Sequence, residues 1–549
     1  MNAAILFEPD GYVLDGPKLM GRQSAGNGFL RGAVAAHAGE PIYAYTPNPT
    51  SAQAFFNLVR SIDSSCRPEW IPGDRLDLLR SRGVIYRPDQ ILGGLARLRL
   101  RGGMGWFSVC GVTHTLATSR TLEAIADLMT APVAPWDALI CTSTVAVDVV
   151  ETVLEAQGDY LAWRLGCPKP KPVLQLPVIP LGVHCDDFAF TAGARSRART
   201  SLGLADDEVA VLFAGRLSIM GKAHPYSMYA ALETVARTTG RRLAIVHAGQ
   251  FFDAATEQMF LSAVTEFCPS VRAIFVNGKD AEKYREAWRA ADIFMSLSDS
   301  IQETFGLTPV EAMAAGLPVL VTDWNGYKDT VREGVDGFRI ATWVPGPGTG
   351  GIMALQYEAG RTSYSSYLSQ ASTSVSVDTE MLVSRLTELV LNQDLRRRLG
   401  AAGQERARRT FDWSVVYRQY QQLWANLDAR RRAGTREEAA WLARAPRSQA
   451  GALGPFDTFA AYPTAQIGSA TLVIGAADAS MARFHALTKH RMLALWNPQP
   501  DLVERILATL EEGPTTVQRL SGRLELAQGI VIEAVARLAK LRLLAFRNT

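Results

Sequence analysis

At 549 residues the chain is too long for one hydrophobic core, and a prior of about 150 residues per domain implies roughly three. With 48% hydrophobic and 20% charged residues it reads as globular, which excludes a disordered chain. A formal net charge of +3 gives the molecule as a whole no electrostatic demand for nucleic acid or an anionic membrane. The opening MNAAILFEPDGYVLDG lacks a basic stretch followed by a long apolar run, so it reads as a first buried strand and no signal peptide. Six cysteines, none in a CxxC pair, argue against a zinc site or disulfide framework and fit a reducing cytosol. No apolar run approaches the ~20 residues of a membrane span, while peripheral membrane contact stays open.

In chain order, short apolar runs alternate with helical text. AAILFE, PIYAYT, GWFSVCG, DALICTS and PVLQLPVIPLG punctuate the first part; VAVLFAGR, RLAIVHAG, RAIFVNG, DIFMSLS and LPVLVTD punctuate the second. Buried continuous strands separated by helices predict parallel α/β sheets. The strand count restarts after residues 180–204, so two such domains are expected, 1–182 and 183–430. WVPGPGTGGIMALQYEAGRTSYSSYLSQAST interrupts the second with an insertion over 343–375, readable as a surface loop or as a folded flap near a ligand cleft. Residues 431–490 read as a basic, Ala-rich linker or extension. Residues 491–549 read as three helices of a small winged-helix-like module.

The most informative stretch is ETFGLTPVEAMAAGLPV, which holds Glu303 and Glu311 eight positions apart. Thr308 is a suitable N-cap, Pro309 suits the first helical position, and Gly316 with Pro318 stops the helix about two turns later. Such an N-terminus offers unpaired backbone N–H groups and partial positive charge, which suits a phosphate. Gly306 lets the preceding backbone approach a ligand closely. Thr308 and Glu311 also fit a capping box, in which the acid only serves its own helix. Further upstream, LFAGRLSIMGKAH places Arg216 just after a strand and Lys222 six residues later.

The whole string from Glu303 to Val319 resembles the E-x7-E motif of family-four glycosyltransferases, which are retaining enzymes of the GT-B fold. The resemblance implies two Rossmann-like parallel-sheet domains facing across a cleft, the first on the acceptor side and the second holding a nucleotide sugar. It implies that Glu303 accepts hydrogen bonds from the donor sugar, that Glu311 accepts them from the ribose, and that the backbone of Phe305, Gly306, Leu307 and Thr308 holds the diphosphate. Arg216 and Lys222 resemble the family's cation pair on that diphosphate, although LSIMG between them departs from the usual text. GPKLMGRQSAGNGFLRGAV resembles its N-terminal glycine loop, a turn leading into a helix, with Gly26, Asn27 and Gly28 as the contact. His114, in VCGVTHTLATS, resembles the active-site histidine of sucrose-synthase-like relatives, and ICTSTVAVDVV resembles a strand-then-Ser/Thr segment at the cleft edge. Gly278 ends the strand in IFVNGKD and is expected near the base. RTFDWSVVYRQYQQLW resembles the helix that crosses back to the first domain. The resemblance covers about residues 1–430.

The expected function is retaining transfer of a sugar from a nucleotide-diphosphate donor, UDP- or GDP-linked, to a glycan, lipid or protein acceptor. No Asp-x-Asp stands at a strand end, so fixed cations, and no metal or other cofactor, are expected to meet the leaving group. A GT-B phosphorylase and a sugar-nucleotide epimerase remain as enzyme alternatives. A sugar-sensing DNA-binding regulator is the non-enzyme alternative, but seven Lys/Arg against six Asp/Glu over residues 501–549 favour a protein partner or self-association for the tail. The expected location is cytoplasmic, either free or peripheral to the inner face of the membrane.

Overall fold

The structure is a computed structural model that describes residues 1–12, 21–219 and 221–547. The chain forms two compact units, Met1–Gln449 and Ala450–Thr549. The first contains two six-stranded sheets. One is built from β1 (Ala4–Leu6), β2 (Ile42–Thr46), β3 (Pro68–Pro72), β4 (Val84–Arg87), β5 (Ser108–Val112) and β6 (Ala138–Ile140). The other is built from β7 (Val209–Ala214), β8 (Leu243–Gly249), β9 (Arg272–Asn277), β10 (Ile293–Ser296), β11 (Val319–Thr322) and β12 (Gly337–Ile340). The orders are β3-β2-β1-β4-β5-β6 and β9-β8-β7-β10-β11-β12, so each sheet has the same doubly wound topology. Every pairing within them is parallel.

The apolar runs explain the layering. All residues of β7, β8, β10 and β11 are buried, as strands covered by helices on both faces require. PVLQLPVIPLG departs from expectation and adds only single bridges, Gln175 to Ala138 and Val178 to Cys141, at the edge of the first sheet. Pro172, Pro177 and Pro180 remove the donors that a continuous strand would need. All six cysteines are free thiols.

The helix Trp413–Arg432 returns from the second lobe to the first, where Trp413, Tyr417, Tyr420 and Trp424 share an apolar core with Phe29, Leu30 and Ala33. The indole of Trp413 is wedged between two backbones. A Cβ on Gly28 would sit 2.6 Å from its Nε1, and one on Gly182 would sit 2.4 Å from its ring. This corrects the expected glycine turn. Gly26, Asn27 and Gly28 lie within the helix Gly21–Ala35, while residues 16–20 of the proposed loop lie outside the described residues.

The insertion is folded. β13 (Thr342–Trp343) and β14 (Ser376–Val377) pair antiparallel at its base. Between them the helices Gly351–Glu358 and Tyr364–Ser372 pack through Tyr357 and Tyr367, stacked with ring centroids 4.9 Å apart. The second compact unit has its own core. There β15 (Leu472–Gly475) pairs antiparallel with β16 (Thr515–Thr516) and β17 (Leu544–Arg547). The helices Pro500–Glu511, Val517–Leu524 and Gln528–Lys540 cover that sheet. The last helical pattern therefore ends at Lys540, and LAFR becomes a strand. No described helix is long and apolar enough to cross a membrane.

Candidate functional site

In an open doubly wound sheet, the crevice at the carboxyl ends of the first and fourth strands is where ligands settle, because the connections there diverge to opposite faces. In the second sheet these strands are β7 and β10. The loop after β7 carries Arg216 and Lys222, and the loop after β10 carries Glu303. The topology thus unites residues 81 positions apart: Lys222 Nζ lies 2.6 Å from Glu303 Oε2. Arg216 stands close enough to interact electrostatically with the same carboxylate. Burial lowers the Arg216 pKa, with Glu303 and Tyr364 opposing that effect. Burial also works to raise the Glu303 pKa, but Lys222 and the amides of Phe305 and Thr304 outweigh it and leave the carboxyl below its ordinary value.

The loop reaches its helix through one strained-looking position that only glycine fits. Gly306 has φ +90°, and a Cβ there would lie 2.1 Å from the ring of the fully buried Tyr327. The helix runs Leu307–Ala314, with Gly306 as its N-cap and no side chain capping it. This corrects two expectations. Thr308 is inside the helix and is not the N-cap, and the capping box with Glu311 does not form. Thr308 instead turns its hydroxyl to Tyr327, whose own hydroxyl lies 3.0 Å from Ser296 Oγ. Phe305 is buried in the core against Phe411, which anchors the loop while its amide serves Glu303.

Glu311 is released from capping, half-buried, and close enough to Lys222 to interact with it electrostatically. Burial raises its pKa to about 7, opposed by Lys222 and reinforced by Asp187. Gly278, at the end of β9, donates its N–H to Gly249 O at 2.8 Å, beside the ends of β7 and β8. The first-lobe candidates make contacts within their own lobe. Asn27 Nδ2 donates to Tyr12 O at 3.3 Å, and Gly26 packs on the Gly11 carbonyl. His114 Nε2 lies 2.8 Å from Pro88 O.

Sequence reading missed the groups that hold this corner in place. Ser143 caps the helix Thr144–Leu165 and donates to Thr304 O at 2.8 Å. Thr144 Oγ1 donates to Asp329 Oδ1 at 2.9 Å, a carboxylate set at the helix N-terminus. The segment read as a cleft edge thus grips the acidic loop directly. Behind Lys222, Ser298 Oγ donates to Lys222 O at 3.2 Å and Asp299 Oδ2 accepts from His224 N at 3.0 Å. Burial pushes the Asp299 carboxyl up to about 7. Nothing in the spacing of SLSDS distinguishes that aspartate from a surface acid. Among the described residues, no group of three or more His, Cys, Asp or Glu gathers to hold a metal ion.

Two lobes with matching doubly wound sheets and a cation–acid cluster at the switch point of the second define a GT-B fold. Residues 194–342 match the family model for glycosyl transferases group 1, so the chain carries a glycosyltransferase group 1 domain. The D-inositol 3-phosphate glycosyltransferase of Nocardia farcinica is 33% identical over 168 residues, 30% of this chain and 36% of that protein. Its counterpart from Actinosynnema mirum is 31% identical over 267 residues, 44% of this chain and 58% of that protein. The chain therefore spans between about a third and three-fifths of these curated relatives. Among solved structures, Anabaena HepE in complex with UDP superposes with a TM-score of 0.50 at 16% identity, over 78% of this chain and 100% of that chain. That likeness is one of fold.

Proposed function

We propose that the chain is a retaining glycosyltransferase that moves a sugar from a nucleotide diphosphate to a hydroxyl acceptor. The observation that carries this reading is the Lys222–Glu303 pair beside Arg216, at the foot of an uncapped helix. In this scheme Arg216, Lys222 and the first amides of the helix receive the diphosphate, Glu303 accepts from hydroxyls of the sugar, and Glu311 accepts from the ribose. The bond from the anomeric carbon to the phosphate oxygen breaks, and the acceptor oxygen bonds on the same face. The acceptor proton passes to the departing phosphate. Fixed cations oppose the developing charge, which makes a divalent ion dispensable.

UDP is the favoured nucleotide because HepE, which shares the fold, was solved with it. The relatives are named for D-inositol 3-phosphate, so that polyol belongs among the acceptors tested, with glycans, lipids and proteins. The C-terminal unit fits a winged-helix module that binds a protein partner or a second copy. Two of its arginines are already paired, Arg523 with Glu512 and Arg537 with Glu533, which weakens the case for a DNA-reading face. A cytoplasmic location, free or peripheral to a membrane, accords with this chemistry.

A screen of UDP-glucose, UDP-N-acetylglucosamine and GDP-mannose, with and without acceptors, tests the reading. At least one donor should release its nucleotide with retention, and EDTA should change the rate by no more than about twofold. Turnover of none contradicts the reading, and loss of turnover in EDTA contradicts metal independence. A sugar phosphate made from added phosphate, or an epimer made without acceptor, favours the alternatives instead. The pH dependence is a second check. Glu311 becomes a carboxylate only as pH rises through about 7, while a sugar nucleotide stays fully ionised across that range. Its affinity should therefore rise about three- to tenfold from about pH 6 to about pH 8. Asp299 titrates in the same window, so Glu311→Gln isolates the effect: in that variant the slope should flatten.

A further inference from the structure

The insertion places a tyrosine where both lobes meet the acidic loop. Its ends are pinned by the pairing of Thr342 with Val377 and Trp343 with Ser376, and its helices are locked by the Tyr357–Tyr367 stack. Tyr364 opens the second helix, and its phenol donates to Gln302 Oε1 at 3.4 Å, next in sequence to Glu303. A bond that long is weak and readily exchanged. Arg216 lies close enough to interact with the same phenol. From the first lobe, the Thr115 hydroxyl interacts with the same phenol, and its buried Oγ1 makes no hydrogen bond of normal geometry. Buried hydroxyls rarely stay unpaired.

We propose that Tyr364 and Thr115 form a subsite for one hydroxyl of the transferred sugar, making the insertion a determinant of sugar specificity. The inference rests on the glycosyltransferase reading and deepens it. A sugar hydroxyl both donates and accepts, so it satisfies Thr115 and replaces the long bond to Gln302 together. Arg216 and Lys222 face the diphosphate, and Glu303 faces other hydroxyls of the same ring. The subsite therefore recognises the sugar and is indifferent to the nucleotide, a split that merely structural damage would not produce.

Calorimetry on the full chain tests it with wild type, Tyr364→Phe and Thr115→Val. The probes are UDP and GDP, and the nucleotide sugar that wild type binds most tightly among UDP-glucose, UDP-N-acetylglucosamine and GDP-mannose. Both variants should bind the free nucleotide within about twofold of wild type and lose about fivefold or more in affinity for the nucleotide sugar. Unchanged sugar-nucleotide affinity in both, or equal losses for nucleotide and sugar nucleotide, overturns the subsite. A wild type that binds neither UDP nor GDP overturns the reading of the site itself, and the subsite with it.

Discussion

Glu303→Gln will slow turnover while tightening the binding of free UDP. The carboxylate holds Lys222 at 2.6 Å, so a diphosphate reaching that lysine must displace an anion already bound to it. Charge-assisted bonds of this kind are worth roughly 1.5–3 kcal/mol. Removing the charge frees Lys222 and also removes a negative neighbour, so UDP affinity should rise about three- to tenfold. Turnover should move the other way. Without the carboxylate the sugar hydroxyls lose a charged acceptor as positive charge develops on the ring, and kcat should fall about 10²- to 10³-fold. Calorimetry with UDP and steady-state rates with the donor read both signs. Weaker UDP binding together with unchanged kcat would show that Glu303 is neither the partner of Lys222 in solution nor a sugar ligand.

Gly306→Ala will disable the site from within its scaffold. The backbone at φ +90° is unfavourable for an L side chain, by about 1–2 kcal/mol. The added methyl would also lie 2.1 Å from the Tyr327 ring, which is fully buried and tied to Ser296 and Thr308. Overpacking of this sort adds roughly 1–3 kcal/mol. The loop must relax, and it carries Glu303 at one end and the helix N-terminus at the other. UDP binding should become undetectable, or thermal unfolding should shift down by several degrees. Tyr327→Ala should therefore lower the melting temperature less in the Gly306→Ala background than in wild type, because it opens room for the methyl. A Gly306→Ala protein that melts and binds as wild type does would remove Tyr327 from this account.

The legible and illegible parts of the fold differ for physical reasons. VAVLFA and LAIVHAG were readable because both faces of those strands are covered, which leaves His247 as their one polar side chain. PEWIP escaped because it forms β3, an edge strand bounded by prolines and carrying Glu69. The acid pair was readable as a motif, but its start was misplaced by two residues. Side-chain chemistry favours Thr308 as the cap, whereas the ring of Tyr327, distant in sequence, sets the turn at Gly306. The Lys222–Glu303 pair spans 81 positions and becomes visible only once β7 and β10 are known neighbours. The insertion resisted reading because Ser and Tyr text has no period, and its order comes from two rings ten residues apart.

In the proposed mechanism two fixed cations, Arg216 and Lys222, grip a nucleoside diphosphate at the end of β7 without a divalent ion. Titrating UDP calorimetrically into wild type, Arg216→Ala and Lys222→Ala, all in EDTA, tests it most directly. Wild type should bind, and each variant should lose about tenfold or more in affinity. Equal UDP affinity in all three proteins would mean that neither cation holds the diphosphate.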